Sequence, residues 1–250
     1  RFHSWNYSDK YDEVMATYHQ QIYAIDVAVG IIREALQKSG TDKNTVIIYT
    51  SDNGFFCGSH GYGSKVLPYE ESSRVPLIIY DPRHPNSGKK LRTSALTGNI
   101  DFAPTILSLA GISSPENMDG KNLMTVYNKP TSSLHQSLPL INVWGKEPTH
   151  ALGVVTEEMK YLYWGYAEKG FKPSNELYDL KKDPLEKSNQ FSSSEYTKAR
   201  KKMQKLYDQH LAHWKESAVA YNNYQIFGVL FDRKLEWDEK LKRVKNHSFN

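Results

Sequence analysis

The chain has 250 residues, a formal net charge of +4 and an apolar fraction of 39%, of which aromatic residues are a substantial part. This composition excludes a disordered or fibrous chain and fits one large α/β domain or two modest ones. No apolar run approaches the roughly 20 residues of a membrane helix. The slight basic excess suits an anionic small molecule and gives no nucleic-acid-binding signature.

The opening Arg1-Phe2-His3-Ser4-Trp5 has neither Met nor a signal-like stretch and reads as a piece of a longer or processed chain. Cys57 is the single cysteine, so no internal disulfide framework exists. The sequons at Asn6-Tyr7-Ser8 and Asn246-His247-Ser248 carry little weight among so many Asn and Ser residues. Residues 9 to 39 predict one long helix, with Tyr11, Met15, Tyr18, Ile22, Ile25, Val29, Ile32 and Leu36 in steps of four and three. Ser8 or Asp9 caps its start and Gly40 closes it. Thr45 to Thr50 and Val75 to Tyr80 lack polar alternation and predict strands buried on both faces. The Gly- and Ser-rich stretch from Ser51 to Arg74 reads as a functional loop. Asp101 to Ala110 is a short helix ended by Gly111, which completes the pattern of an α/β domain with a parallel or mixed sheet.

Composition changes after about residue 127. Asn128 to Ser137 reads as a polar linker, followed by strands at Leu138 to Trp144, Gly153 to Glu157 and Met159 to Tyr166, which suggest a small antiparallel sheet. Glu176 to Leu180 is a further strand or turn, punctuated by Asp183-Pro184. A helix is expected from Ser193 to Glu216, with Ser192 and Glu195 at capping-box spacing and Tyr196, Ala199, Met203, Leu206, His210 and Trp214 on one face. Phe231 to Lys245 predicts a last amphipathic helix.

Asp52 and Asn53 follow the C-terminal end of a predicted strand, where open α/β sheets place ligand groups. A carboxylate beside an amide oxygen is a hard-oxygen pair suited to calcium or magnesium, although Asp-Asn-Gly is first of all a turn signal. Lys65 returns a positive charge to the same loop. A cation beside a metal is what a sulfate or phosphate ester needs, since both stabilise charge on the non-bridging oxygens.

These residues carry a resemblance. Ser51-Asp52-Asn53-Gly54, Ser59-His60-Gly61, Lys65, Tyr69-Glu70-Glu71 and Arg74 to Ile79 resemble the second signature region of type I sulfatases, formylglycine-dependent members of the alkaline-phosphatase-like superfamily. Tyr23 to Asp26, Asn99 to Leu107 and Glu176-Leu177-Tyr178-Asp179-Leu180 with Asp183-Pro184-Leu185-Glu186 extend the similarity from about residue 11 to 190. The resemblance implies an α/β, alkaline-phosphatase-like sandwich portion over residues 1–127. It implies a small C-terminal α+β subdomain over 128–250, with an antiparallel sheet and a long helix. It makes Asp52 and Asn53 calcium ligands (magnesium being the alternative), Lys65 a sulfate ligand, and His60 either a substrate contact or a structural hydrogen-bonding residue. Glu70 and Glu71 would fix Arg74 and the loop, Arg74 would form a structural salt bridge in preference to the alternative of a sulfate ligand, and Asp26 would be a helix-surface or capping partner.

The family nucleophile is a formylglycine made in a Cys/Ser-x-Pro-x-Arg segment, and none occurs here. Cys57 is followed by Gly58-Ser59, so it reads as a small loop residue, and His3 has no motif context. The expected partners are therefore a sulfated small molecule or carbohydrate and the N-terminal part of the same enzyme, which would carry the nucleophile. The Lys excess and the aromatic C-terminal sheet favour the carbohydrate. The setting implied is periplasmic, secreted or lysosomal. The alternatives are a related phosphodiester or phosphonate ester hydrolase and a non-catalytic pseudoenzyme. The first is disfavoured by an Asp-Asn pair where zinc phosphatases use Asp-His, the second by the intact Asp, Asn and Lys.

Overall fold

A single helix, α1 (Tyr11–Lys38), opens the computed structural model, which describes residues 9–219 and 223–246. His3, the Ser8 cap and both sequons lie wholly or partly outside those residues. Gly40, at φ 70°, ends the helix as expected. Its N–H donates to Gln37 O and that of Thr41 to Leu36 O, which satisfies two terminal carbonyls. No residue of α1 is buried, and Ile22, Ile25 and Ile32 remain about half exposed. The predicted apolar stripe is present, but within this chain most of it has nothing to cover it.

The same holds for the two apolar strands. β1 (Ile47–Thr50) and β2 (Leu77–Tyr80) form a two-stranded antiparallel sheet, with Ile47 opposite Tyr80 and Thr50 opposite Leu77. The expectation of a parallel or mixed sheet buried on both faces is not met within this chain. β1 is half-buried throughout, and Ile78 and Tyr80 of β2 point outward. Between the strands lies the short helical turn α2 (Glu70–Ser73); α3 (Phe102–Leu109) and α4 (Met124–Asn128) follow β2.

The segment read as a polar linker is packed instead. Leu134 joins Leu123 and Val126 in a small core that covers Leu77, Ile79 and Phe102. Beside it, the fully buried Asp101 accepts hydrogen bonds from Gly98 N (2.8 Å) and Lys121 N (2.7 Å), and its Oδ1 lies 2.7 Å from His135 Nε2. A buried carboxylate with three donors is satisfied, and it ties the linker to the start of α3.

The second half holds β3 (Leu138–Asn142), β4 (Ala151–Val155), β5 (Met159–Trp164) and β6 (Ser174–Asp179) in a four-stranded antiparallel meander, then α5 (Thr197–Ser217), α6 (Gln225–Leu230) and α7 (Trp237–Asn246). The antiparallel sheet and the long helix are as expected. Both faces of the sheet are covered, which explains why β4 and β5 are buried almost throughout. Leu152, Val154, Tyr161 and Tyr163 pack on Met203, Tyr207 and Leu211 of α5 and on Phe227 and Phe231. The alternate residues Ala151, Leu162 and Trp164 pack on Phe56, Leu67 and Tyr69 from the loop between β1 and β2. Strand alternation thus sends one set of side chains to α5 and the other to the loop. Each large apolar side chain buried this way contributes about 1.5–3 kcal/mol.

Two expectations about the helices are corrected. α5 starts at Thr197 with Tyr196 at its N-cap, so Ser192 and Glu195 form no capping box; Glu195 instead pairs with Lys182 at 3.3 Å. Its fully buried residues are Met203, Tyr207 and Leu211, and Tyr196, Leu206 and Trp214 of the expected face pack partly buried against the same core. The tail is two helices, because the chain turns between Phe231 and Glu236.

α7 carries Lys240, which is 1% exposed and donates to Tyr163 Oη at 2.8 Å. Burial lowers its pKa from the model-compound 10.5 to about 8, against the opposing charges of Asp232 and Glu236. Between those two pH values the unfolded chain binds more protons, so this group makes stability rise with pH. Lys240→Met should therefore be more stable than the parent at pH 7, by about 1–3 kcal/mol. The difference should shrink as pH climbs from 8 towards 10.5 in paired urea titrations. A parent more stable than the variant at pH 7 would contradict the assignment.

Candidate active site

β1 hands the chain directly to Ser51, and the next three residues are held by short polar contacts. Ser51 Oγ donates to Asn53 O (2.8 Å), and Asn53 N donates to Asp52 Oδ1 (2.9 Å). From the start of the α3 segment, Asn99 Nδ2 donates to both Ser51 O and Asp52 O at 3.2 Å. Asn53 Nδ2 donates to Gly54 O at 2.8 Å, which leaves the amide oxygen free to accept. The Asp52 carboxylate is exposed and pairs with no cation among the described residues. Two hard oxygens thus sit side by side at a strand end, held by backbone contacts and uncommitted to any charge.

Gly54 has a reason different from a left-handed turn. A Cβ there would meet Glu71 O at 2.0 Å, and its N–H donates to Ser72 O at 2.8 Å. The loop is therefore pressed against α2. Lys65 stands on the return limb, exposed and without an ion pair among the described residues. Its neighbour Val66 donates its N–H to Ser72 Oγ at 2.8 Å. Ser72 is buried and so grips both limbs of the loop.

The limbs are joined by a crowded bend. Cys57, His60, Ser64 and Val66 all have positive φ, with Val66 at 97°. A β-branched residue there is strained, typically by about 1–3 kcal/mol, and such strain persists only where the surroundings enforce it. Here Phe56 N donates to Ser64 O and Gly58 N to Tyr62 O. Phe56 is buried and edge-on to Tyr62 and Tyr69. Burial raises the Cys57 thiol pKa and no cation opposes it, so this residue stays a thiol.

His60 faces inward. Its ring stacks on Tyr69 at 4.7 Å and its Nε2 lies 3.4 Å from Glu71 Oε2. Tyr69 Oη in turn donates to Glu176 Oε2 at 3.0 Å. Burial and that carboxylate push the Tyr69 phenol far above its ordinary range, so it acts as a hydrogen-bond donor. The structure thus places Asp52 and Asn53 together at the strand end, Lys65 on the exposed return limb, and His60 behind the loop. Arg74 Nη1 lies 3.8 Å from Glu70 Oε2 and is mostly exposed, a rim ion pair of small value.

Behind His60 lie residues that the sequence did not single out as functional. Lys160 of β5 is fully buried, with its Nζ 2.8 Å from Glu70 Oε1 and 2.9 Å from Glu186 Oε1. Neither contact is aligned as a hydrogen bond, so charge rather than direction carries them. Glu186 Oε2 accepts from Glu70 N at 2.6 Å. Burial raises the Glu186 pKa while Lys160 opposes the rise. His60, Glu71 and Glu186 bring ligand-type atoms within 4.8 Å of one another, but the Lys160 ammonium already supplies the cation there. The sequence signal was present: a lysine at a strand position whose alternate neighbours, Leu162 and Trp164, are apolar.

Comparison with known proteins gives a consistent picture. The family described as N-sulphoglucosamine sulphohydrolase, C-terminal, matches residues 58–213, and the family described as Sulfatase matches residues 2–112. An N-acetylglucosamine-6-O-sulfatase of Bacteroides thetaiotaomicron is 32% identical over 83% of this chain. An arylsulfatase of Clostridium perfringens is 32% identical over 72% of it. The chain spans 37% and 36% of those two relatives' lengths. Among solved structures, one described as a complex with its substrate D-glucosamine-2-N,6-O-disulfate superposes with a TM-score of 0.75 and 31% identity, over 84% of this chain and 42% of that one. A phosphonate monoester hydrolase of Agrobacterium radiobacter gives 0.67 and 25%, over 81% and 43%.

The contact at Gly54 is directly testable. Gly54→Ala forces a methyl group against the Glu71 carbonyl and should cost about 1–3 kcal/mol of stability in chemical denaturation. Gly61→Ala is the control: nothing lies near its Cβ position and the cost is only that of its φ of 72°. Equal losses for the two would show that the loop is not pressed onto α2.

Proposed function

Because this chain belongs to the sulfatase family, we propose that it is part of a sulfuric ester hydrolase that removes sulfate from a sulfated sugar. The observation that carries the reading is the Asp52–Asn53 oxygen pair at the end of β1, charge-uncommitted and braced by Asn99. That donor set fits a hard divalent cation such as calcium, with magnesium as the alternative. Bound there, the ion would supply charge stabilisation to the non-bridging sulfate oxygens. Lys65 binds the same oxygens with an ammonium that has no ion pair among the described residues. His60, fixed between Tyr69 and Glu71, shapes the loop that carries Lys65 and bears on the sulfate through it. Cys57 takes no part in the chemistry.

The nucleophile, a formylglycine in the resemblance, belongs to a part of the protein outside these residues. The uncovered apolar face of α1 and the outward Ile78 and Tyr80 are suited to packing against that part. We assign residues 1–127 to the main α/β domain and 128–250 to a C-terminal subdomain whose sheet supports the active-site loop. The names of the Bacteroides N-acetylglucosamine-6-O-sulfatase and of the complex with D-glucosamine-2-N,6-O-disulfate make a sulfated glucosamine or N-acetylglucosamine the first candidate. A relative described as an extracellular sulfatase agrees with an extracytoplasmic setting. No described helix is long and apolar enough to cross a membrane.

The likeness to phosphonate monoester hydrolases favours one other reading, hydrolysis of a phosphonate or phosphate ester at the same site. Parallel kcat/KM measurements on a glucosamine sulfate and on a phosphonate monoester separate the two.

In the complete protein, Lys65→Ala should lower kcat/KM on the sulfate ester by about 10²–10³, and Asp52→Ala by at least as much. Cys57→Ala should change it by less than about threefold. A dead Cys57→Ala with near-normal Asp52→Ala and Lys65→Ala would overturn the reading in favour of a thiol nucleophile.

A further inference from the structure

The motif Asp183-Pro184-Leu185-Glu186 lies outside the candidate active site in sequence, yet one of its side chains ends behind it. Glu186 is buried, accepts the N–H of Glu70 at 2.6 Å and meets Lys160 Nζ at 2.9 Å. Lys160 meets Glu70 Oε1 as well. The two residues therefore hold the first residue of α2 by its backbone and by its side chain. From α2 the hold passes to the loop at three points. Glu71 O lies against Gly54, Ser72 O accepts from Gly54 N, and Ser72 Oγ accepts from Val66 N. Gly54 follows the Asp52–Asn53 pair directly, and Val66 follows Lys65 directly.

The geometry points to Lys160 and Glu186 as positioning residues for the active site: through α2 they set the separation between the Asp52–Asn53 pair and Lys65. Neither touches the substrate. Their contribution to the reaction rests on the sulfatase reading given above; the mechanical link from the C-terminal sheet to the loop does not. Drift of the turn from the sheet gives up the Lys160–Glu70 ion contact and the hydrogen bond from Glu70 N to Glu186 together. Misplacing a reacting group by about 1 Å costs about a hundredfold in rate.

The test uses the full-length protein and two substitutions. Glu186→Gln keeps the shape of the side chain and leaves Lys160 paired with Glu70. Lys160→Met removes the ammonium and is the second variant, should the first fail to fold. Hydrogen exchange read by mass spectrometry should show the amides of Gly54, Phe56 and Val66 exchanging at least about tenfold faster, while those of β4 keep their protection. On a glucosamine sulfate, kcat should fall by about ten- to a hundredfold with KM little changed. In a Lys65→Ala background the same substitution should cost about threefold or less, because the separation it sets no longer matters. Unchanged loop exchange, or faster exchange spread evenly over β4 to β6, overturns the proposal. Losses that multiply fully in the Lys65→Ala background overturn the route through Lys65. A parent protein that hydrolyses no sulfate ester, with loop exchange still accelerated in the variants, removes the sulfatase reading and leaves the mechanical link standing.

Discussion

An ammonium group shut away from water must be neutralised where it stands, and Lys160 is neutralised by carboxylates from two distant parts of the chain. Glu70 comes from the turn that follows the active-site loop, Glu186 from the turn after β6. Desolvating each of these ions costs several kcal/mol, and only close opposite charges offset it. With the loop docked, the Lys160 ammonium meets two carboxylates, and with the loop displaced it keeps only Glu186. Strand register decides whether the match exists. Lys160 shares a face of β5 with Leu162 and Trp164, and that face meets Phe56 and Tyr69. A slip of one residue would turn Lys160 towards α5, into the apolar set of Met203, Tyr207 and Leu211.

The polar groups divide into two populations around that clamp. Behind the loop most are engaged: Glu176 by Tyr69 and Tyr178, Asp101 by two backbone amides and His135, Glu186 by Glu70 N and Lys160, while His60 Nε2 and Glu71 Oε2 face each other at 3.4 Å without an aligned hydrogen bond. In front of it Asp52, the Asn53 oxygen and Lys65 have no charged partner among the described residues. Groups kept free for a ligand need a rigid support, since otherwise they would fold back and neutralise one another. The positive-φ bend from Cys57 to Val66 is the cost of that rigidity, borne by the packing of Phe56 and by the grip of Ser72.

How much of this was legible in the sequence depended on what each signal measures. β3 to β6 and the long α5 were readable because their covers lie within the chain, so the apolar pattern and the observed burial agree. The runs at 45–50 and 75–80 were read correctly as apolar and wrongly as buried on both faces, and the apolar stripe on α1 is present but mostly uncovered. A pattern reports the environment a segment is suited to, and much of that environment is not in these residues. Asn128 to Ser137 looked like a linker because Leu134 and His135 are isolated apolar and aromatic residues in a polar tract, and isolated residues carry no period. The Ser192–Glu195 spacing matched a capping box, yet Glu195 was taken by Lys182 across a turn, a contact invisible in local sequence. Asp52, Asn53 and Lys65 drew attention through motif chemistry. Lys160 had a local signal in its apolar alternate neighbours Leu162 and Trp164, but its pairing with Glu186, 26 positions away, had none.

His60 illustrates how a motif residue acquires its role from its surroundings. An exposed imidazole next to a sulfate site would serve as a ligand or a proton donor. Here the ring is 16% exposed, stacked on Tyr69 and turned towards Glu71, itself the residue whose carbonyl fills the space over Gly54. The histidine thus closes the back of the bend at the point where α2 presses on its front limb. The same three-sided packing explains why Gly54, which needs no left-handed backbone, has no room for any side chain at all.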